Sequence, residues 1–231
     1  MNELVDNMPH YRFLIFPPPL DEKLTIDQYF ELRDLAISKY RFMSDRFNTE
    51  QRQAIVAIAN AKEFRICSEN DNILPFILHG PPGTGKTTTL VEECRLMVTQ
   101  FDTDRILVCA PSNTAADLFA YELIHVAGID PKIVFRPNTE KKDQFAIPPL
   151  EELKQCKIIV STLLCSTYLA LGGMKNEFSH IIIDEAGQAS ELDTLVPIVG
   201  PVEMIDYFKK IGISSSLIER YVSNPNYKND P

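Results

Sequence analysis

The chain has 231 residues, 45% hydrophobic and 24% charged, an ordinary folded-domain composition that excludes collagen-like and intrinsically disordered chains. Its net charge of −9 argues against indiscriminate nucleic-acid binding by bulk electrostatics, so any such role has to come from local motifs. Five cysteines (Cys67, Cys94, Cys109, Cys156 and Cys165), odd in number and without a C-x-x-C pair, argue against a disulfide framework or a zinc site and fit buried thiols of a reducing compartment.

Met1 to His10 is acidic and polar, unlike a signal peptide, and no apolar run reaches the length of a membrane span; a cytoplasmic protein without membrane contact is expected. Tyr11 to Phe16 predicts a short strand, and Pro17-Pro18-Pro19 reads either as a stiff linker or as a proline-rich partner motif. A helix is predicted from Asp27 to about Lys39. Asn48 or Thr49 can cap the next one, Glu50 to Ala61, whose Ala54, Ile55, Ile58 and Ala59 face a core.

Phe76-Ile77-Leu78 then predicts a buried strand. It runs into Gly80-Pro81-Pro82-Gly83-Thr84-Gly85-Lys86-Thr87, which satisfies every position of the phosphate-cradling pattern G-x-x-x-x-G-K-[ST]. The glycines let successive backbone N–H groups turn onto phosphate oxygens, and the helix beginning at Lys86 adds the positive end of its dipole. Lys86 is expected on the β and γ phosphates of a nucleoside triphosphate and the Thr87 hydroxyl on a bridging Mg²⁺. Leu90, Val91, Cys94, Met97 and Val98 follow at helical spacing.

Beyond the loop the pattern alternates. Strands are predicted at Arg105 to Ala110, Lys132 to Phe135, Lys157 to Ser161 and His180 to Asp184, and helices at Thr114 to Ile124, Leu150 to Gln155 and Leu163 to Leu171. Alternation of this kind implies an α/β fold with a parallel sheet covered by helices on both faces. Ile181-Ile182-Ile183-Asp184-Glu185 delivers two carboxylates at a strand's C-terminal end, where open α/β sheets bind ligands. Asp184 is expected to hold Mg²⁺, and Glu185 to orient and deprotonate the attacking water. An acidic helix start is the alternative. Ser112, Asn113 and Thr114 read either as a helix cap or as donors to the backbone of a single strand. Arg136 reads either as a phosphate contact or as a surface salt bridge, and His79 and His180 read as structural.

Asp184-Glu185-Ala186-Gly187-Gln188-Ala189 resembles the second helicase motif of the superfamily-one enzymes related to Upf-one, and its Ala-Gly-Gln-Ala form resembles the Armitage and Mov-ten RNA helicases. Asn48-Thr49-Glu50-Gln51-Arg52-Gln53-Ala54 is similar to the segment whose glutamine, here Gln51, reads the adenine edge. Ala110-Pro111-Ser112-Asn113-Thr114-Ala115-Ala116-Asp117 and Val160-Ser161-Thr162 resemble the segments that contact nucleic acid. The resemblance covers roughly residues 47–199 and implies the first RecA-like, P-loop NTPase domain of an ATP-dependent RNA helicase. It implies nucleotide contacts from Gln51, Gly80, Pro81, Pro82, Gly83, Thr84, Gly85, Lys86, Thr87, Thr88 and Gln188, with Glu185 and Lys86 as catalytic groups and Thr87 and Asp184 on the metal. Pro111, Ser112, Asn113, Ser161 and Thr162 would meet single-stranded RNA. RNA-silencing proteins are the implied partners, in the cytoplasm or in ribonucleoprotein granules. A DNA helicase of the same superfamily and a non-hydrolysing, nucleotide-dependent binding module are the alternatives.

The family pattern also implies a third motif, a strand ending in Gly-Asp. Here Thr194-Leu195-Val196-Pro197-Ile198-Val199 runs almost directly into Gly200-Pro201-Val202, and Ser216-Leu217-Ile218-Glu219-Arg220 again resembles sequence that follows the third motif. An omitted internal block is expected, together with an incomplete sheet of low stability, weak ATP binding and no strand separation. Residues 1–46 are then an N-terminal extension and 200–231 a segment following the gap. A second RecA-like domain, source of the family's transition-state arginines, is not found in these 231 residues.

Overall fold

The computed structural model describes residues 40–45, 47–59, 76–100, 105–137, 148–174 and 177–199. The expected strand at Tyr11 to Phe16, the proline run, the helix from Asp27 and everything from Gly200 onward lie outside them. The described chain falls into two compact units, one running up to Thr89 and the other continuing from Leu90.

In the first unit, α1 spans Thr49–Ala59. Asn48 caps it: the Gln51 amide donates to Asn48 Oδ1 at 2.8 Å while Gln51 Oε1 accepts from the Asn48 amide at 3.0 Å. This is a reciprocal capping box, which satisfies two N–H groups the helix itself cannot pair. Arg52 ties down the approach to the helix. Its guanidinium donates to the carbonyls of Phe47 and Asp45 at 2.9 and 3.0 Å and lies 5.3 Å from the centroid of the Phe42 ring. Phe76-Ile77-Leu78 departs from the predicted strand, forming no sheet ladder. A parallel strand needs a neighbour to bond, and among the described residues this segment has none.

The second unit is built on a four-stranded parallel sheet: β1 (Ile106–Ala110), β2 (Val134–Phe135), β3 (Ile158–Thr162) and β4 (His180–Ile183), in the order β2-β3-β1-β4. This is the α/β parallel sheet that the alternation predicts, consistent with the RecA-like P-loop fold that the family resemblance implies. All five residues of β1 are buried, as a strand bonded on both sides and covered on both faces requires. Leu107, Cys109 and Ile159 pack on one face with Leu163, Leu169, Met174 and Ala189. Their neighbours Ile106, Val108, Ile158 and Val160, also buried, turn to the opposite face by the period of two. Among the described residues β4 is bonded on one side only, to β1.

Five α-helices follow among the described residues: α2 (Lys86–Gln100, entering from the phosphate loop), α3 (Asn113–Tyr121), the single turns α4 (Leu150–Leu153) and α5 (Ser166–Leu169), and α6 (Glu191–Val199), which closes the described chain. Of the predicted helices, that from Thr114 to Ile124 starts a residue earlier and widens into a π turn at Glu122–Val126, where the Ala127 amide reaches back to the Glu122 carbonyl at 2.9 Å. It stops at Gly128, whose φ of +70° lets the Ile129 amide close on the Leu123 carbonyl at 3.0 Å, a C-terminal cap open chiefly to glycine. The predicted strand at Lys132 is instead a 3-10 turn, Pro131–Ile133, started by Asp130 Oδ1 accepting from the Lys132 amide, and only Val134–Phe135 remains extended. No helix among the described residues is long and apolar enough to cross a membrane.

The predicted apolar positions of α2 understate its burial. Val91, Cys94, Leu96 and Met97 are buried, and so are Glu92 and Glu93. Glu92 holds Arg95 through two bonds of 2.7 and 2.9 Å, whereas both carboxylate oxygens of Glu93 lack a hydrogen-bond partner. Burial, then the charge of Glu92, pushes the Glu93 carboxyl well above the usual range, the direction that burial away from water gives a carboxyl.

Candidate functional site

The phosphate loop joins the end of the 76–78 segment to α2. Gly83 and Gly85 both have φ of +81°, a left-handed conformation that costs an L-residue about 1–2 kcal/mol. The Lys86 ammonium is drawn back over the loop, donating to the Gly80 and Pro81 carbonyls at 2.9 and 3.0 Å. Thr84 closes the turn, its hydroxyl donating to the Pro81 carbonyl at 2.9 Å. The Thr89 hydroxyl and amide both donate to the Gly85 carbonyl at 2.9 Å. Thr87 and Thr88 are half-buried in the first turn of α2, and Pro81 to Thr84 are exposed.

Gln51 joins this loop. While its Oε1 caps α1, its Nε2 donates to the Thr84 carbonyl at 3.0 Å. One carboxamide thus fixes α1 to the tip of the loop over a separation of 33 residues. A Cβ at Gly85 would stand 2.6 Å from Gln51 Nε2. Gly85→Ala is therefore expected to combine left-handed strain with the loss of that brace, about 1–3 kcal/mol in all. Thermal unfolding of the variant checks it, and an unchanged midpoint would show the loop to be more pliant than this.

A second group of expected site residues stands at the C-terminal edge of the sheet. Ala110 is level with Thr162, and Cys109 with Ile183, so Pro111 and Ser112, Thr162, and Asp184 all follow neighbouring strands at one edge. Asp184 is buried and its amide bonds the Cys109 carbonyl at 2.9 Å. Burial pushes the Cys94 thiol well up, and the neighbouring carboxyls of Glu93 and Asp184 add to the shift; Asp184 likewise adds to the burial that raises Glu122. The Asp184 carboxylate thus projects its field onto α2 and onto the π turn after α3. Glu185 is exposed and adopts φ 53°, ψ 30°, the sole positive φ among the described non-glycine residues. Gln188 Nε2 donates to its Oε2 at 2.8 Å.

The strand-contact residues divide by exposure. Ser112 and Asn113 are exposed, and Pro111 and Thr162 half-buried. The Ser112 hydroxyl caps α3, accepting from the Ala115 amide at 3.1 Å. Ser161 is fully buried, its hydroxyl turned onto the Thr162 carbonyl at 3.1 Å, so that hydroxyl is not presented to a ligand in this structure. Arg136 makes the salt bridge weighed from the sequence, Nε to Asp117 Oδ1 at 2.7 Å, but also reaches Asn113.

The residues suit a nucleotide triphosphate with a divalent ion. The loop carries no acidic side chain, its two left-handed glycines turn the backbone inward, and helix-start amides have no acceptor within the helix. Among the described residues no three His, Cys, Asp or Glu side chains come together to hold a metal ion. A cation would therefore complete its shell with phosphate oxygens and water, as Mg²⁺ does at phosphate-binding sites.

A family model described as an AAA domain matches residues 46–135 and 133–203. Among curated proteins, the human RNA helicase Mov10l1 is 31% identical over 232 residues, covering 87% of this chain and 18% of its own length. The mouse RNA helicase Mov10l1 is 34% identical over 198 residues, covering 72% of this chain and 16% of its own length. The mouse probable helicase with zinc finger domain is 30% identical over 179 residues, 68% of this chain and 9% of its own. This chain thus spans less than a fifth of the length of these three relatives.

Proposed function

The chain belongs to the AAA-domain family and is by sequence a Upf-one-like superfamily-one helicase of the Mov-ten kind, and from that premise we propose that it couples ATP hydrolysis to movement on single-stranded RNA. The observation that carries the proposal is the phosphate loop, left-handed at Gly83 and Gly85, braced by Gln51 and crossed by Lys86. Lys86 leaves its two loop carbonyls for the β and γ phosphates, a stronger charge-assisted contact. Gly80 to Thr88 surround the phosphates, Gln51 meets the adenine edge, and Gln188 is a further proposed nucleotide contact that also bonds Glu185. Thr87 and Asp184 are the groups that would hold Mg²⁺, which neutralises phosphate charge when bound. Glu185 orients the water and takes its proton.

Pro111, Ser112, Asn113, Ser161 and Thr162 form the proposed strand contact, with Ser161 acting through its backbone. Residues 47–199 are the proposed first RecA-like domain, between a 1–46 extension and a 200–231 remnant. The proposed setting is RNA silencing or surveillance in the cytoplasm or its granules, with silencing proteins as partners. It rests on the family resemblance alone.

One observation favours a second reading. Among the described residues Phe76-Ile77-Leu78 forms no ladder and β4 is bonded on one side only, as an omitted third-motif strand would leave them. That arrangement suits a nucleotide-dependent binding module without hydrolysis. Fluorescent single-stranded RNA titrated with and without Mg-ATP, and competed with DNA of the same sequence, tests the RNA assignment. Nucleotide-dependent binding that RNA competes better than DNA is expected; DNA competing better than RNA would point to a DNA helicase.

A further inference from the structure

Arg136 follows β2 directly, and β2 is held in the sheet by its pairing with β3. Its side chain is only 12% exposed. Nε bonds Asp117 Oδ1 at 2.7 Å, and Nη2 reaches Asn113 Oδ1 at 3.1 Å and the Asn113 carbonyl at 3.4 Å. Nη1 is buried and has no hydrogen-bond partner among the described residues. Asn113 and Asp117 stand four residues apart, on one face of the first turns of α3. A planar guanidinium can bridge two groups so spaced, whereas a lysine ammonium would serve one. The fork is therefore engaged inward, toward the turn that follows Pro111 and Ser112, and is not held out for phosphate.

We infer that Arg136 is a positioning residue for nucleic-acid binding: it bolts the start of α3 to the end of β2 and sets the orientation of the Asn113 carboxamide that meets the strand. This rests on the proposal that Ser112 and Asn113 contact RNA. The geometry gives Arg136 a different role from the neighbouring strand contacts. A phosphate ligand at this position would tolerate lysine, since a point charge suffices there; a two-pronged bolt would not.

The test uses the whole chain and a short fluorescent oligouridylate in a double-mutant cycle of Arg136→Lys and Asn113→Ala, with thermal unfolding recorded for each variant. Arg136→Lys keeps charge and stem and is the substitution best suited to preserve the fold. It is expected to weaken RNA binding about tenfold, the scale of one lost charge-assisted hydrogen bond. In the Asn113→Ala background the same substitution is expected to cause little further loss, because its effect runs through Asn113. RNA affinity unchanged by Arg136→Lys would overturn the positioning role, and so would an equal loss in both backgrounds, the signature of a merely structural residue. A wild-type chain that binds no RNA would remove the underlying functional proposal and this one with it.

Discussion

Lys86→Ala is expected to weaken Mg-ATP binding by about 3 kcal/mol, roughly two powers of ten in affinity. Each charge-assisted hydrogen bond to phosphate contributes about 1.5–3 kcal/mol, and the lysine is expected to make contacts to two phosphates. The gain is offset by what the ammonium gives up, two loop carbonyls at 2.9 and 3.0 Å. Those carbonyls are partly open to solvent in a loop whose residues 81–84 are exposed, so water replaces the lost donor cheaply and most of the phosphate term survives. Fluorescent-ATP titration of a folded Lys86→Ala chain measures this directly. Unchanged affinity would remove Lys86 from the nucleotide site.

Glu185→Gln is expected to leave ATP binding in place and to cut turnover by about 10² to 10⁴, the range that a positioned general base supplies. The structure gives two reasons for choosing this carboxylate. Its backbone is left-handed at φ 53° although it is not glycine, a conformation that costs about 1–3 kcal/mol and is concentrated at functional positions. Gln188 fixes one of its oxygens at 2.8 Å, leaving the other for water. Glutamine keeps the shape and the acceptor but cannot take a proton. Single-turnover hydrolysis and equilibrium binding, compared on the same samples, separate the possibilities. A parallel loss of both would assign Glu185 to structure.

Much of this architecture could be read from the residues. The runs Ile106-Leu107-Val108, Ile158-Ile159-Val160 and Ile181-Ile182-Ile183 each gave a parallel strand; in the first two a strand covered on both faces has no polar side to show, whereas Ile181 in the third is exposed. The phosphate loop was equally plain, since its glycine spacing answers to backbone angles few other sequences need. Phe76-Ile77-Leu78 looks the same as those runs yet forms no ladder. Strand formation depends on a neighbour, which three apolar residues cannot encode. The π turn at Glu122–Val126 was invisible because a single widened turn leaves the 3.6-residue period almost intact. Glu93 escaped notice since the apolar spacing of α2 marks one face, whereas the helix is buried more widely than that. Arg136 could be matched to a salt bridge but not to Asn113, 23 residues away, because the pairing of β2 with β3 is what brings the two together. For Ser161, the family resemblance implied a strand contact; the sheet buries β3 on both faces and places the hydroxyl inside.

Single-turnover hydrolysis of ATP by the 231-residue chain, with and without single-stranded RNA, tests the central claim most directly. The account predicts Mg²⁺-dependent conversion of bound ATP that RNA accelerates and that Glu185→Gln abolishes while leaving the nucleotide bound. ATP that stays bound and intact whether or not RNA is present would contradict it, and would leave the chain a nucleotide-dependent binding module on a helicase scaffold.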